Sequence, residues 1–377
     1  MNRLYRLLVQ KKTYMDLYGL KKITFLTLLL CFSCDPFDAI IEEEKDEEQV
    51  VFYESASKSN ENAPTDSLKI ASWNIKFAGG RLDFFFDCYG DRSLMETEEV
   101  ESHLEGLATK INQMDVDVLF VQEIDIDAKR SGYIDQLQYL LDFTEFNYAV
   151  YASQWKSNYV PSDGIGRINS GNAILSRYPL NNTERIALPL IEEQSGFVQY
   201  FYLRRNILKA QITDAQGKNI TLLNTHTSAF AKDGTKDKQL EQIKTEVDQL
   251  HASGISFVLG GDFNSLPPSS EQVNDFSDDV CPKDSEFSAN DFSEETDIML
   301  PFYDYEPLIP LEDFAANNED YFTFTADKDG FWSRKLDFIF TNANFKSGLV
   351  HLDEAHGGMA TMPLSDHAPL SGTVFNW

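Results

Sequence analysis

The sequence predicts an α/β protein built from two packed mixed sheets flanked by helices. Three observations point that way. Apolar, β-prone runs recur at residues 68–75, 116–121, 220–223 and 255–259. Between some of them lie segments with apolar residues three and four apart, the spacing of one helix face. Elsewhere strand follows strand with no helix between, which suits two packed sheets better than one doubly wound sheet. The chain has 377 residues, 42% of them hydrophobic and 13% aromatic, enough for a sizeable core.

The elements follow in order. Residues 68–75 read as a largely buried first strand, then a Gly79-Gly80 turn and an aromatic loop from Phe84 to Tyr89. Residues 98–114 carry Val100, Leu104, Leu107 and Ile111 at helical spacing. A strand at 116–121, a helix at 134–141 and strands at 148–151 and 173–175 come next. Segments 197–203 and 207–212 are expected to pair as a hairpin, and 220–223 follows a turn at Gly217. Residues 236–250 put Leu240, Ile243, Val247 and Leu250 on one helix face ahead of a buried strand at 255–259. Residues 269–320 break the rhythm with Asp, Glu, Ser, Pro and interleaved aromatics. A loop this long inside a compact domain is functional or disordered, so it is read as an inserted loop or lid. Strands resume at 321–325, 336–341 and 370–375.

The N-terminal segment is of another kind. Six basic residues precede an apolar run at 23–31, too short to span a membrane and suited to a secretory signal. Cys34 after Phe32-Ser33 resembles a bacterial lipobox, with Cys31 where leucine is usual. Residues 1–33 are therefore expected to be a signal peptide and Cys34 the lipidated N-terminus. An outer-membrane or cell-surface lipoprotein is implied, with a secreted or periplasmic protein as the alternative. Residues 34–67, with clustered Asp and Glu and few large apolar side chains, read as an acidic disordered tether to a domain at 68–377. An oxidising compartment permits a Cys88–Cys281 disulfide, two free thiols being the alternative. The net charge is −29; removing residues 1–33 takes six of 32 basic and one of 61 acidic residues, leaving 26 against 60, or −34. Such a field opposes a tight, sequence-specific DNA binder. A bound cation and local arginines reverse the sign within a cleft, so a phosphodiester substrate is allowed.

Five polar motifs end or follow the apolar runs: Trp73-Asn74, Gln122-Glu123, Asn224-Thr225-His226, Gly261-Asp262-Phe263-Asn264 and Ser365-Asp366-His367. Strand ends converge on one rim of a sheet. Carboxylate and amide oxygens are hard ligands suited to Mg²⁺ or Mn²⁺. On extended backbone the one-residue spacing puts Asp262 and Asn264 on one side and Phe263 on the other. Arg204 and Arg205 offer guanidinium groups to a substrate phosphate, and Phe331 and Trp332 offer rings for stacking.

With Gly171-Asn172-Ala173-Ile174-Leu175-Ser176 and Leu336-Asp337-Phe338-Ile339-Phe340, these motifs resemble the endonuclease/exonuclease/phosphatase superfamily across nearly all of 68–377. The resemblance implies a four-layer α/β/β/α sandwich with its site at one end of the two sheets. It implies Asn74, Glu123 and Asp366 around the metal, and His226, Asp262, Asn264, Asp337 and His367 in catalysis, with Asp337 bonded to His367. Asn172 matches a position that faces the cleft. Either Asp262 or His367 serves as the base. The expected enzyme is a monomeric, Mg²⁺- or Mn²⁺-dependent phosphoesterase acting on nucleic acid as an extracellular nuclease. Alternatives are a sphingomyelinase- or phosphoinositide-type phosphodiesterase, with residues 84–86 touching membrane, a phosphomonoesterase, and a non-catalytic surface binding protein.

Overall fold

The computed structural model describes residues 50–58, 63–87, 90–195, 198–199, 202–229, 231, 233–278, 291–326, 331–352 and 359–377. Two mixed sheets face each other. The first has seven strands in the order β1-β4-β5-β3-β2-β13-β12: β1 Val50–Glu54, β2 Ser67–Asn74, β3 Val118–Asp125, β4 Tyr148–Val160, β5 Gly166–Ser176, β12 Asn344–Val350 and β13 Leu370–Phe375. The second has six in the order β10-β11-β9-β8-β7-β6: β6 Asn181–Ala187, β7 Asn206–Thr213, β8 Asn219–His226, β9 Ser256–Asp262, β10 Glu306–Pro307 and β11 Asp337–Thr341. Each sheet has one parallel pair, β2–β3 and β8–β9; the other pairings are antiparallel.

Strand alternation sorts the side chains into layers. On the first sheet Ala71, Trp73, Leu119, Val121, Ala173 and Leu175 face helices α1 (Thr97–Met114) and α2 (Gln136–Phe143). On the second, Leu223, Phe257, Leu259, Phe338 and Phe340 face α3 (Thr235–Ala252). Between the sheets lie Leu68, Ile70, Val118, Phe120, Ile174, Leu222, Val258 and Ile339. This is the four-layer sandwich expected. Helix α1 buries Val100, Leu104, Leu107 and Ile111, as their spacing predicts, and starts on a Glu96–Glu99 capping box. No helix among the described residues is long and apolar enough to cross a membrane.

Several expectations are corrected. The tether cannot run to residue 67, because Val50–Glu54 pairs antiparallel with β4 in register Val50↔Ala152 to Glu54↔Tyr148. Five β-prone residues sit behind an acidic run there, and the open edge of β4 gives their backbone partners. The expected 197–203 hairpin strand does not form among the described residues. Val198 and Gln199 are helical, Tyr202 and Leu203 are not strand, and β7 pairs with β6 and β8. Residues 321–325 contribute only isolated bridges, from Phe324 to Arg334 and to His367, after a 3-10 turn at Asn318–Tyr321.

The described part of 269–320 is built into the domain. Met299, Phe302 and Tyr305 join the core under α3, and Leu308 and Ile309 join the layer between the sheets. The segment also adds β10, paired to β11, and a short α4 (Leu311–Ala316).

Candidate active site

The inter-sheet face changes character along each strand. Leu68 and Ile70 give way to Ser72 and Asn74 on β2, and Val118 and Phe120 to Gln122 on β3. On β8, Ile220 and Leu222 give way to Asn224 and His226; on β9, Val258 and Gly260 to Asp262; on β11, Ile339 gives way backwards to Asp337. Register aligns the last three: Asp262 lies beside His226 across the parallel pair and beside Asp337 across the antiparallel one. The loop before β13 adds Asp366 and His367. Trp73 sits in the core and secures that loop, its Nε1 donating to the His367 carbonyl at 2.8 Å.

Two backbone devices shape the site. A bulge in β3 between Val121 and Ile124 puts Glu123 at φ 54°, re-aiming its carboxylate into the cleft. Gly261 has φ 146°, and a Cβ there would stand 1.9 Å from the Thr225 carbonyl oxygen, so only glycine fits. Asn264 reaches the cleft by a turn rather than by extended alternation. It adopts φ 47°, its N–H donates to Asp262 Oδ1 at 2.9 Å and its amide donates to the Thr227 carbonyl at 3.1 Å. Phe263 is buried in the core, as expected.

The functional groups are close. His367 Nδ1 lies 2.8 Å from Asp337 Oδ2, and its Nε2 lies 3.6 Å from Asp262 Oδ2. His226 Nε2 lies 3.3 Å from the same Asp262 oxygen and 4.0 Å from Glu123 Oε1. Asn74 Nδ2 donates to Asp262 Oδ2 at 3.1 Å and to Glu123 Oε1 at 3.3 Å. Burial opposes a charge on His367, but the Asp337 and Asp262 carboxylates outweigh it and push its pKa up to about 10. Burial, reinforced by the positive charges of Arg205 and His367, holds His226 well below the ordinary histidine range. His367 is thus an imidazolium at neutral pH and His226 a neutral ring. With acceptors facing His226 Nε2, that nitrogen is assigned the proton. Burial raises Asp262 and Glu123, with the charges of Asp337 and Asp366 respectively adding to the effect.

Sequence reasoning missed part of the cation set. Lys76, only 6% exposed, places Nζ 3.1 Å from Asp87 Oδ2 and 3.4 Å from Asp366 Oδ2. It does so from a run of three left-handed residues, Lys76, Phe77 and Ala78, a backbone costly without glycine. Its position two residues after Asn74 was the available signal. Arg81 also lines the cleft, and both its terminal nitrogens donate to the Thr325 carbonyl.

A support behind the site was equally hidden. The Thr325 N–H donates to the Asp366 carbonyl, the Ala368 N–H donates to the Thr323 carbonyl, and Phe324 meets the His367 ring edge-on at 4.9 Å. Thr323 Oγ1 accepts from the N–H groups of Leu336 and Asp337. This ribbon is clamped by Asp278, from the inserted segment. Its carboxylate accepts from Thr325 Oγ1, the Ala326 N–H, Ser333 Oγ and Arg334 Nη1, the last at 2.8 Å.

Other expectations divide. Arg205 lines the cleft, buried, with Nη1 donating to Gln154 Oε1 at 2.8 Å. Arg204 does not line it; its main chain is bonded to Gln154 and Arg185. Asn172 is fully buried on the inter-sheet face, beneath a floor formed by its neighbour Gly171, so it does not face the cleft. Gln122 and Asn224 are structural, joined Nε2 to Oδ1 at 2.6 Å across the sheets. Trp332 packs on the inter-sheet core and Phe331 is exposed; neither lines the cleft. Residues 84–86 line the cleft rather than an outer surface. Cys34, Cys88 and Cys281 lie outside the described residues.

The donors fit a hard divalent cation. Asp262, Asp337 and His367 place ligand-type atoms within 4.8 Å of one another, but the protonated His367 has no lone pair to give, so the donors are the carboxylate oxygens gathered around it, Glu123 and Asp366 included. Asp337 Oδ1 is buried without a hydrogen-bond partner, and Glu123 and Asp366 raise the local negative charge. Like carboxylates crowded at the edge of a low-dielectric interior favour a bound positive charge.

A family model described as Endonuclease/Exonuclease/phosphatase family matches residues 71–367. Among solved structures, an endonuclease/exonuclease/phosphatase from Beutenbergia cavernae DSM 12333 is 16% identical over 82% of this chain and 72% of its own, with a TM-score of 0.52. The human Nocturnin catalytic domain with bound sulfate anion is 17% identical over 88% of this chain and 99% of its own, with a TM-score of 0.50. At these identities the likeness is one of fold. No curated protein matches the chain.

Proposed function

The chain belongs to the endonuclease/exonuclease/phosphatase family and is a phosphoric ester hydrolase of that type; from this premise we propose a Mg²⁺- or Mn²⁺-dependent phosphodiesterase, used outside the cell as a nuclease. The observation that carries the reading is the meeting of His226, Asp262, Asp337 and His367 in one cleft with Glu123. A divalent cation held by Glu123, with Asn74 and Asp366 beside it, would supply Lewis-acid charge to phosphoryl and leaving oxygens.

The remaining roles follow from the charge states. Asp262 is the base: burial raises its proton affinity, and a carboxylate so tuned accepts a proton from water more readily. His367 is already protonated and cannot take that proton. It donates to a phosphoryl oxygen while Asp337 fixes its ring. His226, neutral, donates from Nε2 without adding charge, and Asn264 borders the same space. Arg205 and Lys76 both line the cleft and bring positive charge to it within a chain of strongly negative net charge. The water oxygen forms the new bond to phosphorus, the opposite P–O bond breaks, and the departing alcohol is protonated from solvent.

Hydrolysis of bis(p-nitrophenyl) phosphate with and without chelator tests the reading. Turnover should require the cation and disappear in Glu123→Ala; chelator-resistant turnover would end it. Residues 84–86 line the cleft, so a lipid ester would meet them there as part of the binding surface. Export and anchoring through Cys34 rest on the N-terminal pattern, and Cys34→Ser should move the protein from the membrane to the soluble fraction.

A further inference from the structure

One wall of the cleft is a shelf of interlocked aromatic rings that the reaction described above does not use. Phe77 and Phe84 are buried and meet edge to face at 5.0 Å. Phe86 stacks on Phe84 at 5.5 Å with only 4° between planes, and Phe85 stands edge-on to Phe86 at 5.2 Å. Trp155 and Phe85 pack on one small apolar cluster that includes Ile165. The Arg130 guanidinium lies 3.6 Å over the Phe77 ring and 5.7 Å from that of Trp155. Its charge is met by Asp125 through two hydrogen bonds of 2.9 Å, so it closes the shelf without offering a phosphate site.

The shelf opens onto the reacting groups. Phe85, Phe86 and Trp155 are half-buried, and the faces they leave uncovered line the same cleft of about 670 Å³ as Glu123, His226 and Asp262. Trp155 pairs in register with Ser170, next to Gly171 in the cleft floor. Rings locked against one another lose little freedom on binding and present flat surfaces. A flat π-ring gains most by stacking there, a hydroxylated sugar offers only its C–H edges, and a long alkyl chain overruns a short shelf closed by a guanidinium.

We propose that this shelf is a subsite for a planar ring on one arm of the diester, so that phosphodiesters bearing a nucleobase-sized ring are preferred over sugar phosphates and long-chain lipid esters. The inference rests on the phosphodiesterase reading and assigns the arm that does not leave. Three esters with one leaving group separate the possibilities: methyl, dodecyl and thymidine-5′ p-nitrophenyl phosphate. The thymidine ester should exceed the methyl ester in kcat/KM by about tenfold or more, the range of one stacked base. Trp155→Ala and Phe85→Ala should each erase most of that ratio, and Trp155→Tyr should keep it. Equal rates for methyl and thymidine esters, or a ratio unmoved in both alanine variants, would overturn the subsite; preference for the dodecyl ester would reassign it to a lipid chain. If no ester is turned over, the parent reading fails instead. Calorimetry with thymidine 5′-phosphate against ribose 5-phosphate then still decides the shelf: tighter binding of the former, lost in Trp155→Ala, supports it, and equal affinities reject it.

Discussion

The two ends of the layer between the sheets are made by the same strands and are equally dry, yet they are stabilised differently. At one end Leu68, Ile70, Val118, Ile174, Leu222 and Val258 are fully buried, and apolar area alone accounts for their place. Two to four residues further along, Ser72, Asn74, Gln122, Asn224, His226, Asp262 and Asp337 are just as buried. These need partners, and not all have them. Gln122 Oε1, His226 Nδ1 and Asp337 Oδ1 carry no hydrogen bond, and neither amide atom of Asn172 does. Unmet polar groups cost stability, and they gather where the chemistry is. Stability is concentrated where the alternation stays apolar, and reactivity where it turns polar.

The largest separation of the two ends should come from Asp262→Ala. Loss of the base is expected to lower kcat about 10³-fold, with thermal stability unchanged or raised, because a buried carboxylate of raised pKa is removed. A fall in stability to match the loss of rate would erase the distinction. Phe120→Ala is the converse. Its ring packs in the apolar end against Gly260, where a Cβ would come within 2.7 Å of it. The cost should be about 3–5 kcal/mol by denaturant titration, with kcat of the folded fraction largely retained.

Asp278→Ala tests whether the inserted segment supports the polar end. The ribbon at residues 323–325 would lose its clamp, and kcat should fall roughly 10- to 100-fold with KM little changed. A rise in KM alone would make Asp278 a substrate contact. The smallest effect concerns pH. Asp337 and Asp262 raise His367, so its proton is kept through neutrality and lost as pH rises through about 10. Removing the Asp337 charge lowers that value, so in Asp337→Asn the alkaline limb of the kcat profile should move to lower pH by about 1–3 units. An unmoved limb would show that the His367 charge is not used.

Much of this was legible in the chain because it is local. Period-two apolar runs gave the strands, the faces of α1 and α3 followed from their spacing, and site residues sat where runs turned polar. What was not legible depends on distant partners. Val50–Glu54 is a strand because β4 has a free edge, not because its neighbourhood looks structured. Asp278 is one acid among many until Arg334 and residues 325–326 close on it. Arg204 and Arg205 are alike in sequence; only the path of the backbone sends one into the cleft. Lys76 depends on an unusual left-handed turn that no propensity scale favours.

The contrast between a cleft built to take a divalent cation and a strongly acidic chain has a kinetic consequence. Nucleic-acid proteins with basic faces capture long polymers from afar and lose affinity as salt rises. Here the net charge of −29 repels such a polymer until it is within a Debye length or so of the cleft, where a bound divalent cation together with Arg81 and Arg205 would offset it. Added salt screens that repulsion before it screens the short-range attraction. Encounter with long chains should therefore quicken at moderate ionic strength, while short diesters, carrying one charge, scarcely sense the exterior.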